Sequence, residues 1–273
     1  MKRYRIITFL AITILAGAGA ALSVSLSADS APESNVRVTY VGNAGFLITV
    51  GPRKILIDPL PEESKDAREN ARPPFNDVDL ILITHNHGDH FNAPMIRQLL
   101  KNMPKARLIS TAQVTGQLAE FGNRIITLAA TKEKRDQTDI DGIQVQAIYL
   151  SHGTPPAGRE ESVNFGYLVT ADAIRLFHTG DIDLSLIDMT GPLSPGKRID
   201  LAFIAHFFFS PDPLEQKFIK EWVNGRFAIP IHLKFSRPAF DTDQIKLIKA
   251  NYPDSVLFEK ELQTWDMPAS AKK

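Results

Sequence analysis

Apolar residues recur along this chain with two different periods, and the change from one to the other predicts an α/β protein. Two runs rich in β-branched residues, "VRVTYVGNAGFLITV" and "RKILIDPL", flank Gly51 and Pro52 and predict an antiparallel hairpin. The next run, "DVDLILITH", is too apolar for a half-exposed strand, so we predict a central strand covered on both faces. Helical spacing follows in "APMIRQLLKNMP" and "TAQVTGQLAEFG", on either side of a strand at "ARLIS".

The second half of the chain continues this alternation of strands and helices. Strand patterns occur at "RIITLA", "IQVQAIYLS", "NFGYLVTAD", "AIRLFHTGD" and "IDLAFIAHF". Helical patterns at "PLEQKFIKEWVNG" and "DTDQIKLIKANYP" enclose a strand at "FAIPIHL". Residues 60–76 carry charges and prolines without periodicity and are predicted to form a loop. No internal repeat or change of composition divides the chain, so we predict one α/β domain over residues 35–265, built from two strand-rich halves.

The first 28 residues have the pattern of a targeting segment. Lys2, Arg3 and Arg5 precede an apolar stretch that ends in small residues, which predicts a cleaved secretory signal peptide and export to the periplasm. An uncleaved anchor is the alternative, because the apolar stretch extends over residues 6–26 and about 20 residues suffice to span a bilayer. Membrane contact is expected only through this leader, if it is retained.

Charge and composition narrow the classes of partner and of metal ligand. Lys plus Arg and Asp plus Glu both number 31, so no overall basic field gathers phosphate backbones, and a nucleic-acid partner is not expected. The chain has no cysteine, which excludes thiolate ligands, disulfides and a cysteine nucleophile. Any metal ion must therefore be held by imidazole and carboxylate groups.

The segment "THNHGDH", residues 84–90, places three of the seven histidines and one aspartate directly after the predicted central strand. Gly88 lets the backbone turn sharply, so that neighbouring side chains can converge on an ion about 2.0–2.2 Å away. Alternation sends His85 and His87 to one side and Asp89 and His90 to the other, which is the arrangement needed for two adjacent ions. A chance cluster of solvated histidines is the less favoured interpretation.

The pattern H-x-H-x-D-H after an apolar strand resembles the signature of the metallo-β-lactamase superfamily. A histidine in "YLSHG", the "TGD" turn and a histidine in "AIPIHL" follow in the superfamily's order, so the resemblance covers nearly the whole mature chain. It implies a four-layer αββα sandwich that binds two divalent metal ions, zinc being the first expectation and manganese or iron the alternatives. It also implies a first metal held by His85, His87 and His152, a second held by Asp89, His90 and His232, and Asp181 bridging both.

The hairpin "VGNAGFLI" and "ILIDP" further resembles the branch that includes ascorbate-phosphate lactonases and the phospholipase D acting on N-acyl ethanolamine lipids. Many members of that branch have histidine where this chain has Asn43, a departure that affects a secondary contact and no ligand. The resemblance implies that a metal-bound hydroxide cleaves a phosphodiester, lactone or related ester of a small molecule or lipid. Asp181 would supply negative charge between two cations, and Asp89 would also orient the attacking group.

Three other functions are compatible with parts of this pattern. A true β-lactamase is disfavoured by Asp181 and by the branch resemblance, and a nuclease of the same fold is disfavoured by the neutral charge and the leader. A non-catalytic binding protein would be expected to have lost ligands, whereas every one is present.

Several polar residues near these motifs have a structural interpretation. His178 is predicted to be a buried partner of the site rather than a ligand, and Asp58 to accept hydrogen bonds from backbone or imidazole groups. Asp183 is predicted to be a turn residue.

The remaining candidates concern the substrate. His206 ends an apolar strand on the expected side of the site, which is consistent with either a substrate contact or a core residue. The three phenylalanines at 207–209 cannot all point inward on a pleated chain, so at least one should line the mouth of the site. Arg159, in "GTPPAGREES", is a candidate anion contact in a substrate lid, with a solvated loop as the alternative.

Overall fold

In the part of the chain that the structure describes, strands from the first half and one strand from the end form a seven-stranded sheet. The computed structural model describes residues 35–60, 71–154, 158, 160–233 and 238–269, which fall within one structural unit, Ser34–Lys273. The order across the sheet is β13-β1-β2-β3-β4-β5-β6, antiparallel as far as β3 and parallel from β3 to β6. These strands are β1 (Val36–Gly42), β2 (Gly45–Val50), β3 (Arg53–Ile57), β4 (Leu80–Leu82), β5 (Arg107–Ser110), β6 (Ile125–Thr127) and β13 (Thr264–Asp266).

A second sheet, of six strands in the described chain, is built from the second half. Its order is β12-β11-β10-β9-β8-β7, in which β10, β11 and β12 are parallel and the other neighbours antiparallel. The strands are β7 (Asp136–Ile140), β8 (Ile143–Tyr149), β9 (Phe165–Ala171), β10 (Ile174–His178), β11 (Ile199–Ala205) and β12 (Gly225–Ile231). Pro230, which cannot donate a ladder hydrogen bond, lies in β12, the edge strand, where its missing N–H is tolerated.

Helices connect the strands and cover the outer faces of the sheets. The helix over Ala93–Asn102 has Asn92 as its N-cap, and the Asn92 side chain accepts a hydrogen bond from the N–H of Met95 at 3.1 Å. No helix among the described residues is both long and apolar enough to cross a bilayer. The α-helices are α1 (Ala93–Asn102), α2 (Ala112–Thr115), α3 (Pro213–Lys217) and α4 (Pro238–Asn251), with 3₁₀ turns at Gly116–Arg124, Leu184–Leu186 and His206–Phe208 and a π-helical turn at Phe218–Val223.

Two apolar clusters hold four layers together. Between the sheets the inner faces meet, as where the rings of Phe46 and Phe203 lie 4.8 Å apart. Outside the first sheet, the buried face of α1 packs in a second cluster that includes Ile81. Outside the second sheet, Trp222 of the π-helical turn contacts Phe177, with 6.2 Å between ring centroids. The structure is therefore an αββα sandwich of four layers, as the resemblance implied.

The predicted hairpin at Gly51 and Pro52 is confirmed as β2 and β3, but the run before it forms two strands instead of one. The chain turns at Asn43 and Ala44, where Asn43 has the left-handed conformation with φ 49°. Hydrophobic periodicity did not show this turn, because residues on both sides of it are buried.

Two further differences follow from local chemistry. Strand β7 was not predicted, because "DQTDI" is mostly polar and forms the edge of its sheet. The helix predicted over residues 111–122 is the short α2 followed by a 3₁₀ turn, within which Gly122 has a non-helical φ of 57°. Of the predicted loop, residues 71–76 are turns and bends, whereas residues 61–70 lie outside the described residues, as does the predicted leader.

Candidate metal centre

Strand ends from both sheets meet at the candidate site. In the first sheet, β4 leads into the histidine-rich loop. In the second, β10 and β12 are parallel through β11, and β8 has the same direction as β10 because each is antiparallel to β9. The carboxyl ends of these strands therefore lie on one edge, where His152 follows β8, Asp181 follows β10 and His232 follows β12.

The loop after β4 is a tight turn held by its own backbone. The carbonyl oxygen of His87 accepts hydrogen bonds from the N–H groups of His90 at 3.0 Å and Phe91 at 2.8 Å. Phe91 is buried and anchors the far end of the loop, so that His87 is exposed while His85 and His90 face inward. The turn that "THNHGDH" predicted is present.

All seven residues predicted as ligands come together. Within each of three groups, one nitrogen or carboxylate oxygen per residue lies within 4.8 Å of the others, a spacing that can hold a metal ion. Because some residues belong to two groups, the groups overlap and form one continuous cluster. They are His85 with His87 and His152, His85 with His90 and Asp181, and Asp89 with His90 and His232.

Asp181 occupies the middle of the cluster. Its Oδ1 lies 3.3 Å from Nε2 of His90, and its Oδ2 lies 3.5 Å from Nε2 of His152 and 3.2 Å from Nε2 of His232. Nε2 of His85 is slightly farther from Oδ2, at 4.0 Å. One carboxylate therefore faces imidazoles from both predicted metal groups, which is the position that a bridging ligand requires.

The imidazoles present nitrogens that make no hydrogen bond to any residue that the structure describes. Nε2 of His85, His90, His152 and His232 is buried in each case without a hydrogen-bond partner among the described residues, and so is Oδ1 of Asp181. Buried polar atoms without partners are rare and costly, by about 1–3 kcal/mol each. A cluster of such atoms facing one another fits cations that coordinate them, and imidazole with carboxylate suits zinc, manganese or iron.

Asp58 and Thr84 set the tautomers of two of these histidines. The Asp58 carboxylate accepts hydrogen bonds from the Thr84 N–H at 2.8 Å, the Thr84 hydroxyl at 2.7 Å and Nδ1 of His90 at 2.8 Å. Since the Thr84 hydroxyl donates to Asp58, its oxygen accepts from Nδ1 of His85, 3.0 Å away. When each ring carries a single proton, that proton is therefore on Nδ1 and the lone pair of Nε2 faces Asp181, as metal ligation requires. The hydrogen-bonding role predicted for Asp58 agrees with this geometry.

The electrostatics of the cluster are those of a site built for positive charge. Burial lowers the pKa of His85 to about 3, which keeps it neutral. Burial also disfavours the charged form of His90, but Asp58 and Asp181 outweigh this and raise its pKa to about 10. Likewise Asp181 and Asp89 outweigh burial and raise the pKa of His232 to about 9. Without a cation the carboxylates retain protons on these rings, and a bound cation would replace those protons.

The "TGD" turn that presents Asp181 is braced by two buried polar residues. Nε2 of His178 donates to the carbonyl of Ala44 at 2.9 Å, and its Nδ1 accepts from the N–H of Gly180 at 3.0 Å. Oδ1 of Asn164 accepts from the N–H of Asp181 at 3.2 Å, and its Nδ2 donates to the backbone carbonyls of Leu150 and Thr179. Gly180 has φ 59°, and a Cβ there would lie 2.1 Å from Oδ1 of Asn164, so only glycine fits. His178 is thus a buried partner of the site, as predicted.

The other predicted residues fall around the cluster. Asp183 accepts hydrogen bonds from the N–H and hydroxyl of Ser185 and caps a 3₁₀ turn, in agreement with its predicted role. His206 is buried at the end of β11, between the strands that deliver Asp181 and His232. Phe207 is 43% exposed whereas the next two phenylalanines are buried, which confirms that the three do not all point inward. Arg159 lies outside the described residues.

Sequence reasoning missed two residues that hold the cluster in place, Thr84 and Asn164. Thr84 is the hydroxyl that ends an otherwise apolar buried run, and that isolated polar group is the signal from which it could have been found. Asn164 lies directly before β9, where asparagine ordinarily indicates a turn, so this position carried no comparable signal.

The chain was also compared with known proteins. A family model described as "Beta-lactamase superfamily domain" matches residues 37–232, a stretch that contains all seven clustered residues. A UPF0173 metal-dependent hydrolase of Thermococcus onnurineus is 27% identical over 233 residues, which cover 82% of this chain and 96% of that protein. Another from Pyrococcus horikoshii is 28% identical over 235 residues, with coverage of 82% and 96%. A solved structure of a metallo hydrolase from Ignicoccus hospitalis has a TM-score of 0.59 at 17% identity and covers 86% of this chain and 99% of that one, a similarity that shows the fold alone.

Proposed function

The chain belongs to the beta-lactamase superfamily domain family, and on that premise we propose that it is a hydrolase that depends on two divalent metal ions. The relatives from Thermococcus and Pyrococcus are named metal-dependent hydrolases, which supports the reaction class. The observation that carries the proposal is the set of buried ring nitrogens around the Asp181 carboxylate, which have no hydrogen-bond partner in the described part of the chain.

The two proposed ions divide the seven residues between them. We propose that His85, His87 and His152 hold the first ion, that Asp89, His90 and His232 hold the second, and that Asp181 contacts both. Divalent cations, when bound, activate water for attack and stabilise the negative charge that develops at the scissile group. The donor set contains only imidazole and carboxylate, which is compatible with zinc and also with manganese or iron.

The exposure of the seven side chains indicates the direction from which a substrate approaches. The side chains of His85 and His90 are fully buried, whereas that of Asp89 is 40% exposed and that of His152 is 26% exposed. The substrate would therefore enter from the side of Asp89 and His152. On that side Asp89 would orient the attacking group, and the Asp58 and Thr84 network behind the buried imidazoles keeps them fixed.

We propose a phosphodiester, lactone or related ester of a small molecule or lipid as the substrate. The resemblance of the first hairpin to that branch of the superfamily supports this choice, and so does Asp181, which faces both metal groups. Arg159 is our candidate for an anion contact, and His206 for a substrate contact at the strand end between Asp181 and His232. Equal numbers of acidic and basic residues argue against a nucleic-acid substrate.

We further propose that the protein is exported to the periplasm, on the strength of the basic and apolar start of the chain. The intact mass of the native protein tests this directly, because cleavage removes about the first 28 residues of the predicted leader. A mass that retains residues 1–20 would support the uncleaved anchor instead.

The central experiment combines metal analysis with a substrate panel. Protein freed of metal by a chelator is reconstituted with zinc, manganese or iron, its metal content is measured, and it is assayed on chromogenic phosphodiesters, phosphomonoesters, lactones, β-lactams and DNA. We expect two ions per chain and turnover of phosphodiesters or lactones. No bound transition metal after reconstitution would refute the proposal, and preferential cleavage of β-lactams or DNA would favour the corresponding alternative.

The substrate role of His206 has its own test. His206→Ala should leave the metal content unchanged and lower kcat/KM for some members of the panel more than for others, because the residue would contact substrate and not metal. Loss of a metal ion in this variant would show that His206 is a ligand. An equal decrease for every substrate would indicate the core role instead.

A further inference from the structure

We propose that Asn43 is a positioning residue for the group formed by Asp89, His90 and His232. This inference rests on the proposed function, since it concerns the second of the two proposed ions. Asn43 is the residue that turns the chain between β1 and β2, and it lies where the histidine-rich loop meets the end of β12. It would set the distance between two ligands that are far apart in sequence.

Asn43 makes hydrogen bonds to both segments that supply this group. Its side-chain Nδ2 donates to the backbone carbonyl of Asp89 at 3.2 Å, and its own backbone carbonyl accepts from the N–H of His232 at 3.0 Å. A β-bridge to Leu233 continues the second contact. The side chains of the two residues then meet, with Oδ2 of Asp89 3.4 Å from Nε2 of His232. One residue therefore connects the backbones of both ligands.

The contact with Asp89 determines which way the amide of Asn43 points. Oδ1 of Asn43 is buried and accepts no hydrogen bond from any described residue, so no second contact competes for the orientation. The reversed amide would place two oxygens against each other at the Asp89 carbonyl. The donor Nδ2 is consequently the functional end of the side chain, and a carboxylate in its place could not make this contact.

The backbone contact matters because His232 has an unusual conformation. Its φ is 69°, in the left-handed region that residues other than glycine rarely adopt, and Asn43 itself has φ 49°. The hydroxyl of Tyr40 donates to the carbonyl of Leu233 at 3.1 Å and holds the next residue. Glycine at position 43 would keep the left-handed backbone and its carbonyl contact, and would remove only the side-chain bond to Asp89.

The experiment measures the affinity of the metal-free protein for Zn²⁺ in competition with a chromogenic chelator. The His87→Ala variant removes a ligand of the first group and leaves the second group intact, so it reports one site. In this background, Asn43→Gly should lower Zn²⁺ affinity by roughly 10- to 100-fold, the usual effect of removing a residue that orients a ligand. Asn43→Asp should lower it at least as much, because it keeps the size of the side chain but has no donor for the Asp89 carbonyl. When Asn43→Gly is made in the protein that retains His87, it should weaken the binding of one of the two Zn²⁺ ions and leave the affinity for the other unchanged.

Asn224→Gly is the matched control. Asn224 is also left-handed, with φ 50°, but it is exposed and ends the π-helical turn. This variant should bind Zn²⁺ as its parent does, and thermal unfolding of the metal-free variants should confirm that all are folded. Unchanged Zn²⁺ affinity in Asn43→Gly, or an equal loss in Asn224→Gly, would overturn the inference while the wild-type protein still binds two ions. A wild-type protein that binds no Zn²⁺ would instead overturn the proposed function.

Discussion

Replacement of Asp58 by asparagine separates the orientation of the ligands from the folding of the chain, because it changes charge and hydrogen atoms but not size. Asp58 is 1% exposed and accepts bonds from the Thr84 N–H, the Thr84 hydroxyl and Nδ1 of His90. If the remaining oxygen of the asparagine still accepts from the Thr84 N–H, its NH₂ group takes the place of the other carboxylate oxygen. It then faces the Thr84 hydroxyl and Nδ1 of His90, which were both donors to that oxygen. His90 can then accept only by moving its proton to Nε2, the atom that faces Asp181.

The expected energies follow from the bonds that are lost. Two hydrogen bonds to a buried charged group disappear, which should lower the free energy of unfolding of the metal-free protein by roughly 3–5 kcal/mol. Domains are typically stable by about 5–15 kcal/mol, so the variant should still fold. A ring in the wrong tautomer should weaken metal binding about 10- to 100-fold, equivalent to about 1.4–2.7 kcal/mol of zinc-linked stability.

The assay is urea unfolding of the wild type and of Asp58→Asn, each with chelator and with a fixed free concentration of Zn²⁺. Zinc stabilises the folded state according to its affinity, so the difference between the two curves isolates metal binding from the general loss of stability. Asp79→Asn is the control, since Asp79 accepts a backbone N–H at 2.8 Å but is partly exposed and contacts Lys54 and Arg53 instead of histidine. Equal zinc-linked stabilisation in the wild type and in Asp58→Asn would refute the tautomer argument.

Three further predictions concern the second sheet. His152→Ala and His232→Ala should each lose one metal equivalent and nearly all activity while remaining folded, because each removes one imidazole from a different proposed ion; retention of both equivalents in elemental analysis would contradict the ligand assignment. His178→Ala should lower unfolding stability by roughly 2–4 kcal/mol, because it leaves two buried backbone groups unpaired, and should retain both metals. Gly180→Ala should lose metal as well as stability, because the added Cβ would lie 2.1 Å from Oδ1 of Asn164 and must displace the turn; a variant with wild-type metal content and melting temperature would show that the turn can adjust.

The first half of the site was predictable from local sequence, because its candidate ligands lie within one short loop. His85, His87, Asp89 and His90 follow a strand that is apolar at nearly every position, and Gly88 provides the turn. Alternation along the loop divided the side chains between two groups, and the structure does group His85 with His87 and Asp89 with His90. It also brings His85 and His90 together in a third group with Asp181, which alternation did not predict. No long-range information was needed for this part.

The second half could not be derived from the residues alone. His152, Asp181 and His232 follow strands separated along the chain by other strands and helices, and they meet because those strands run in the same direction in one sheet. Periodicity predicts that a strand exists, but it does not predict its neighbours. The resemblance to a known superfamily supplied that order. The resemblance did not point to Asn164, so the role of that residue is seen only in the structure.

Three residues in or beside the candidate metal centre have an unusual backbone conformation. Asp58, Asn43 and His232 all have left-handed backbones, with φ of 41°, 49° and 69°. Aspartate and asparagine tolerate this conformation, so the first two are consistent with ordinary turns. A histidine at a strand end does not ordinarily adopt the left-handed conformation, and His232 is held in it by a hydrogen bond to Asn43. Such strain typically costs about 1–3 kcal/mol and persists where surrounding contacts impose it. At His232 those contacts come from the first sheet, whereas the residue itself follows a strand of the second sheet. The two halves of the fold must therefore pack together before this candidate ligand reaches its position.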